Sequence, residues 1–252
     1  MVDGAVADFG WRVIGPDPAI LAWASAAHDC ALTALAARNE DWRCNGTWLV
    51  GVDALPNDPT GAVPGADFPW DALPLTPEPL HRAQLSVIKP GYPQPSATET
   101  PAAFGYRLNR DAAHLDGLLL QPDGARLMQE PHHWILGLPL NPCDAAASPL
   151  VVWDGSHLIL QAALAKALAS CPPKDWGTID LNPSYQAARR DIFATCTRRL
   201  LPVAPGQATL LHRHTLHGVA PWAVGATAPQ IGRMIAYFRP QMATVQDWLM
   251  HD

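Results

Sequence analysis

The sequence predicts a mainly β protein with helical decoration, a β-sandwich or jelly roll. Three observations carry that expectation. From Arg82 onward the apolar residues fall in short runs, partly β-branched or aromatic, bounded by Pro, Gly, Asn or Asp. Proline is frequent, 26 of 252 residues, which suits strand ends and turns and works against a helical bundle. Helical periodicity is confined to the start of the chain and to one stretch between 155 and 200.

Taken in order, residues 17–38 predict a helix. Pro18 suits its first turn, and Ile20, Leu21, Ala24, Ala27, Ala31, Leu32 and Leu35 form an apolar stripe. WLVGVDALP then gives a short strand ended by proline. Residues 53–80, rich in proline and without periodicity, read as an ordered irregular loop over the surface. The expected strands are QLSVIK (84–89), HLDGLLLQ (114–121), HWILGLPL (133–140), PLVVW (149–153), ATLLH (208–212) and RMIAYF (233–238). Residues 90–113 read as a loop and candidate lid, with Tyr92, Tyr106, Arg107 and Arg110 available to a polar or anionic substrate. Two helices interrupt the strands, near 157–170 after GSH and near 184–195 after Pro183. The expected organisation is one domain over 1–252. Residues 1–80 form an N-terminal helix and irregular support, and 81–240 form the core, with a helical insert near 155–200.

Composition narrows the function classes. Hydrophobic residues make up 48% and charged residues 16%, enough apolar side chain for a sizeable core. The net charge is -6 and no Lys/Arg-rich run occurs, which argues against nucleic acid or an anionic membrane as partner. No run approaches the roughly 20 apolar residues of a membrane span, and the first residues lack the pattern of a signal peptide. The five cysteines (Cys30, Cys44, Cys143, Cys171, Cys196) are scattered and contain no CxxC pair. That pattern predicts free thiols in a reducing cytoplasm rather than a disulfide framework or structural zinc.

The chemistry is concentrated in two stretches. In RDAAHLDGLLLQP, His114 and Asp116 stand two residues apart, so on a strand they project from one face. An imidazole nitrogen and a carboxylate oxygen there are two arms of a metal site. GQATLLHRHTLHGVAPW supplies His212, His214 and His217 as candidates for a third arm. Two histidines and one carboxylate form the facial triad of non-haem Fe(II) oxygenases, which leaves the opposite face of the ion open. Arg233 opens the last strand, 233 − 217 = 16 residues past His217. Its guanidinium can hold a carboxylate by a bidentate fork.

The ordered set HLD, then Trp before an apolar strand, then SPLVVWDGSH, then PGQATLLH…LHGVAP, then Arg on a terminal strand resembles the phytanoyl-CoA dioxygenase-like branch of the Fe(II)/2-oxoglutarate oxygenases. The similarity spans about residues 80 to 240. The resemblance implies a double-stranded β-helix, also called a jelly roll. It implies His114, Asp116 and His217 as iron ligands, Arg233 on the distal carboxylate of 2-oxoglutarate, and Trp134 beside that cosubstrate. It also implies a reaction with dioxygen that hydroxylates a small-molecule C–H bond and releases succinate and carbon dioxide. The chain departs from the family in a longer His217–Arg233 spacing. It also has Val219 and Ile235 where the family often has serine, and Arg239 is a competing anchor. Gly218 favours His217 as third ligand by permitting close backbone approach. His212 and His214 are then expected as core or supporting side chains, His132 and His133 at the surface or pocket rim, and His157 as a helix cap or a structurally packed side chain. Two other readings stand beside this one: a zinc hydrolase built on the histidines of 212–217, and a jelly-roll binding protein without turnover.

Overall fold

The computed structural model describes residues 4–38 and 41–250. Its strands are β1 (Trp11–Ile14), β2 (Trp48–Gly51), β3 (Gln84–Ile88), β4 (Leu118–Leu120), β5 (Arg126–Met128), β6 (Trp134–Pro139), β7 (Leu150–Trp153), β8 (Arg198–Leu201), β9 (Ala208–His212), β10 (His217–Val219) and β11 (Arg233–Phe238). A major sheet runs β1-β9-β6-β11-β3-β2 and a minor sheet runs β10-β7-β8, with β4-β5 as a separate hairpin. Every pairing is antiparallel. The two larger sheets face each other as a jelly roll.

The period-two alternation of the strands sorts side chains into three layers. Between the sheets, Ile135, Leu150, Val152, Leu201 and Leu211 pack with Trp11, Val13 and Tyr237. Outside the major sheet, Leu85, Val87, Leu136, Leu138, Leu210, Met234 and Phe238 meet the helix Pro18–Ala36 through Ile20, Trp23, Ala24, Ala27 and Ala31. Outside the minor sheet, Val151 and Trp153 meet the helices Ser156–Leu168 and Asn182–Thr195. The helix Pro18–Ala36 starts where expected, because the Asp17 carboxylate accepts from the Ala19 and Ile20 N–H groups. On length and mean hydropathy it could cross a membrane, contrary to the sequence expectation. Its apolar stripe nevertheless packs on the sheet, and the Trp23 indole donates to Gly61 O at 2.9 Å.

Several expectations need correction. The N-terminal 80 residues are more than support, because β1 and β2 form both edges of the major sheet. Residues 53–80 are irregular, but they are not merely superficial. Leu55, Val63, Phe68, Leu73 and Leu80 are core residues, with Phe68 edge-on to both Trp23 and Phe238. The 90–113 loop contains a helix, Pro101–Asn109, capped by Thr100. In the stretch 114–121 only Leu118–Leu120 is strand. His114 makes an isolated bridge, and Asp116 sits in the turn that leads to the hairpin.

Candidate metal centre

His114 and His217 are paired directly. The His114 N–H donates to His217 O at 2.8 Å, and the His217 N–H donates to His114 O at 3.1 Å. This antiparallel bridge brings two histidines 217 − 114 = 103 residues apart into neighbouring positions, with ring centroids 4.5 Å apart. Gly218 makes the approach possible, since a Cβ there would run into the Asp111 carbonyl oxygen and stand 3.1 Å from Ala113 Cα. Gly117 follows Asp116 at φ +78°, and its missing Cβ leaves room for the Glu130 carbonyl where the chain turns into the hairpin. Tyr106 braces the same segment by donating to Ala113 O at 2.7 Å. Gly218→Ala is therefore expected to push β10 away from residues 111–114. The cost should be about 1–3 kcal/mol of stability, with a loss of metal affinity, measured by urea unfolding and by metal titration.

Three ligand atoms converge at this bridge. His114 Nε2 lies 3.1 Å and His217 Nε2 lies 3.7 Å from Asp116 Oδ1. All three atoms fall within 4.8 Å of one another. Neighbouring ligands each about 2.1 Å from one ion stand about 3 Å apart when they meet at right angles. The opposite ring nitrogens are committed elsewhere. His114 Nδ1 bonds Ala112 O at 3.0 Å, and His217 Nδ1 bonds Thr215 O at 2.9 Å. Donation to a carbonyl puts the proton on Nδ1 and leaves the Nε2 lone pair facing Asp116, as a metal ligand requires.

Electrostatics agree with that assignment for His217 and Asp116; at His114 burial lowers the pKa, but the hydrogen bond and charge of Asp116 outweigh it and raise it, so a metal ion would displace a proton there. Burial pushes the His217 pKa down to about 4, against the pull of Asp116, so the ring is neutral near neutral pH. Burial alone would raise the Asp116 carboxyl. The flanking imidazoles and Arg239 outweigh it and hold the group well below the ordinary carboxylate range. His114 stands at the open side, with 48% of its side chain exposed, while His217 is buried. Trp48, Gln84, Ser86, Ile135, Leu150, Val219, Tyr237 and Arg239 complete the cavity wall.

The inward face of β11 carries Arg233, Ile235, Tyr237 and Arg239. Arg233 and Arg239 therefore stand at opposite ends of one row. Arg233 is 6% exposed and its Nε has no hydrogen-bond partner. It lines a second hollow with Cys143, Thr209 and Ile235. Leu150 and Tyr237 border both that hollow and the metal cavity. Burial raises the pKa of the Tyr237 phenol against the opposing pull of the Arg233 charge. Gly137 leaves space here, since a Cβ would come 2.7 Å from the Thr209 hydroxyl and 2.8 Å from the Tyr237 ring. Thr209 and Tyr237 were missed from sequence. The alternation along RMIAYFR gives the signal for Tyr237.

Other candidates lie elsewhere. Trp134, expected beside a cosubstrate, is on the opposite face of β6. It packs in the outer core, and its indole donates to Glu78 at 2.8 Å. The alternation puts Ile135 in the cavity instead. His132 is buried at the edge of a hollow it lines with His81, Glu130 and Arg239, with Nδ1 on Arg239 O at 3.1 Å, while His133 Nδ1 meets Glu78 at 3.0 Å. Of the two readings for His157 the packed one holds: Gly155 takes the cap position, and buried His157 bonds Ala7 O through Nε2 at 3.0 Å. His212 and His214 turn away from His217. His212 Nδ1 accepts the His214 N–H at 3.2 Å, and His214 stands edge-on to Trp248. Among the described residues, the one cluster with metal-ligand geometry is His114, Asp116 and His217, so a zinc site on 212–217 is not formed. Arg107 pairs with Glu99 at 2.7 Å, and Tyr92 packs on Trp48.

The non-heme alpha ketoglutarate dependent carbocyclase SnoK from nogalamycin biosynthesis superposes with a TM-score of 0.50 at 15% identity, over 96% of this chain and 86% of SnoK. The two chains share a jelly-roll fold. AviO1 from Streptomyces viridochromogenes Tue57 gives a TM-score of 0.46 at 15% identity, over 95% of this chain and 93% of its own. The non-heme alpha ketoglutarate dependent epimerase SnoN, also from nogalamycin biosynthesis, gives 0.48 at 12% identity, over 93% and 80%. No protein-family model matches the sequence, and no curated protein matches it.

Proposed function

We propose that the protein is an Fe(II)- and 2-oxoglutarate-dependent dioxygenase of the phytanoyl-CoA dioxygenase-like branch that hydroxylates a small molecule. The observation that carries this reading is the convergence of His114 Nε2, Asp116 Oδ1 and His217 Nε2, with both Nδ1 atoms already bonded to carbonyls. Iron(II) would be held by those three atoms. With the oxoacid bound, it would supply the oxidising power to place one oxygen of dioxygen on a C–H bond, the other going to succinate as carbon dioxide leaves.

The chain's own groups suit the oxoacid. Its distal carboxylate would meet the unpartnered Arg233 Nε, the Thr209 hydroxyl and the Tyr237 phenol, after passing between Leu150 and Tyr237. Arg233 has no carboxylate of its own within ion-pair distance among the described residues, so a ligand carboxylate answers a buried charge that is otherwise uncompensated. Thr209 stands in for the serine that Val219 and Ile235 replace. The apolar wall of Ile135, Leu150 and Val219 limits water at the reacting face. A cytoplasmic setting belongs to the same reading, since all five cysteines are free thiols. The fold also hosts other outcomes, as the carbocyclase name of SnoK says.

The test is an anaerobic titration with Fe(II) and 2-oxoglutarate, followed by the weak visible charge-transfer band of an iron-chelated oxoacid. Wild type should develop the band. Arg233→Gln should need roughly 10- to 100-fold more 2-oxoglutarate to reach it, the loss of a charge-assisted bidentate contact. A wild-type protein that binds Fe(II) and 2-oxoglutarate but releases no succinate under dioxygen, with any candidate substrate, would favour the binding-protein reading.

A further inference from the structure

Arg239 directly follows β11 in its inward row, and both of its terminal nitrogens are engaged. Nη1 donates to Asp116 Oδ2 at 3.1 Å, and Nη2 donates to Gln84 Oε1 at 2.6 Å. Its backbone is held as well, the N–H donating to His81 Nε2 at 2.8 Å and the carbonyl meeting His132 Nδ1 at 3.1 Å. The pair is largely shielded, with 17% of the Arg239 side chain and 11% of the Asp116 side chain exposed. The two Asp116 oxygens are thereby divided. Oδ2 belongs to Arg239, and Oδ1 is the atom 3.1 Å from His114 Nε2 and 3.7 Å from His217 Nε2.

We propose that Arg239, oriented by Gln84, is a positioning residue that fixes which oxygen of Asp116 faces the two histidines. The inference rests on the metal-centre reading above and concerns how the chain prepares that centre. A carboxylate on a short side chain turns broadly about its last torsion. A single ligand atom in a fixed place therefore needs an outside constraint. Arginine supplies it in a way lysine cannot, because its planar fork stays charged and presents two donors at a set angle. Gln84 occupies the second donor and stops the fork from rotating. The two arginines also differ in their partners: each has a buried Nε without a hydrogen bond, but Arg239 is committed to Asp116, while Arg233 has no carboxylate within ion-pair distance among the described residues.

The experiment is anaerobic titration of the full chain with Co(II) and then Fe(II), reading both affinity and the Co(II) visible spectrum. Wild type, Asp116→Ala, Arg239→Met, Arg239→Lys and Gln84→Leu are compared. Arg239→Met should bind roughly 10- to 100-fold more weakly and with an altered Co(II) spectrum, the usual effect of removing a partner that orients a ligand. Arg239→Lys keeps the charge but loses the fork, and should fall between Met and wild type. Gln84→Leu should weaken binding by about threefold, and it carries the test if Arg239→Met does not fold. A merely structural role would lower the thermal midpoint of the metal-free protein and leave the spectrum of bound Co(II) unchanged. If wild type binds no better than Asp116→Ala, the metal-centre reading itself fails and takes this inference with it. If wild type binds and the Arg239 and Gln84 variants match it in affinity and spectrum, only the positioning role is overturned.

Discussion

Asp116→Ala is expected to abolish 2-oxoglutarate turnover and to remove tight metal binding. The carboxylate does three jobs at once. It is the shared partner of His114 Nε2 and His217 Nε2, and it is the only negative side chain lining the cavity among the described residues. It also accepts from Arg239 at 3.1 Å. Removing it leaves two neutral imidazoles beside a guanidinium, an arrangement that repels a divalent cation. The stranded, largely buried Arg239 adds a structural cost of about 3–5 kcal/mol, the range for breaking a buried ion pair from one side. Asp116→Asn separates the two effects. It keeps an oxygen that can accept from Arg239, so the fold should survive while metal affinity and succinate formation are lost. The measurements are succinate release under dioxygen and metal content after dialysis. Either variant turning over at the wild-type rate would remove His114, Asp116 and His217 from the mechanism.

How much of this was legible in the sequence depends on distance and parity. HLD and LHG were readable because each packs its chemistry into three consecutive residues. Gly218 gave a physical reason for choosing His217 over His212 and His214. The strands QLSVIK, PLVVW, ATLLH and RMIAYF were readable because both neighbouring layers bury them, giving near-continuous apolar runs. β1 and β8 were not readable. They are four-residue edge strands, WRVI and RRLL, whose polar residues face outward, and pairing rather than pattern makes them strands. Trp134 failed by parity: one step along β6 separates the outer core from the cavity, and the run HWILGLPL does not say which face is which. The Arg239–Asp116 pair joins residues 239 − 116 = 123 apart, and nothing local to either announces the other.

The second large effect is acid destabilisation, and histidines outside the metal centre add to the contribution of His217. His157, His212 and His214 form a row, the first and last buried and His212 half-buried, with ring centroids 5.0 Å apart at each step, closed by Trp248 at 4.3 Å from His214. Neither ring nitrogen of His214 makes a hydrogen bond of ordinary geometry, and its residue is 0% exposed. Burial pushes His212 down to about 3, with the Arg213 charge adding to it, and burial likewise holds His214 well below the usual imidazole range. A histidine with a depressed pKa in the fold binds its proton more readily in the unfolded chain, where the pKa is about 6.5. Stability is therefore complete above that value and falls as the pH drops from about 6.5 toward 3. By pH 5 His212, at about 3 in the fold, should cost about 2 kcal/mol against the 5–15 kcal/mol of an ordinary fold, and His214 adds a loss of the same sign. Urea midpoints at pH 7.5 and pH 5.0 measure the difference directly. His214→Phe provides the control, because it replaces two unpartnered nitrogens with carbon and keeps a ring against Trp248. It should leave stability at pH 7.5 within about 1.5 kcal/mol of wild type and make the acid loss smaller by the His214 share. An acid loss unchanged in that variant would assign the effect to other groups.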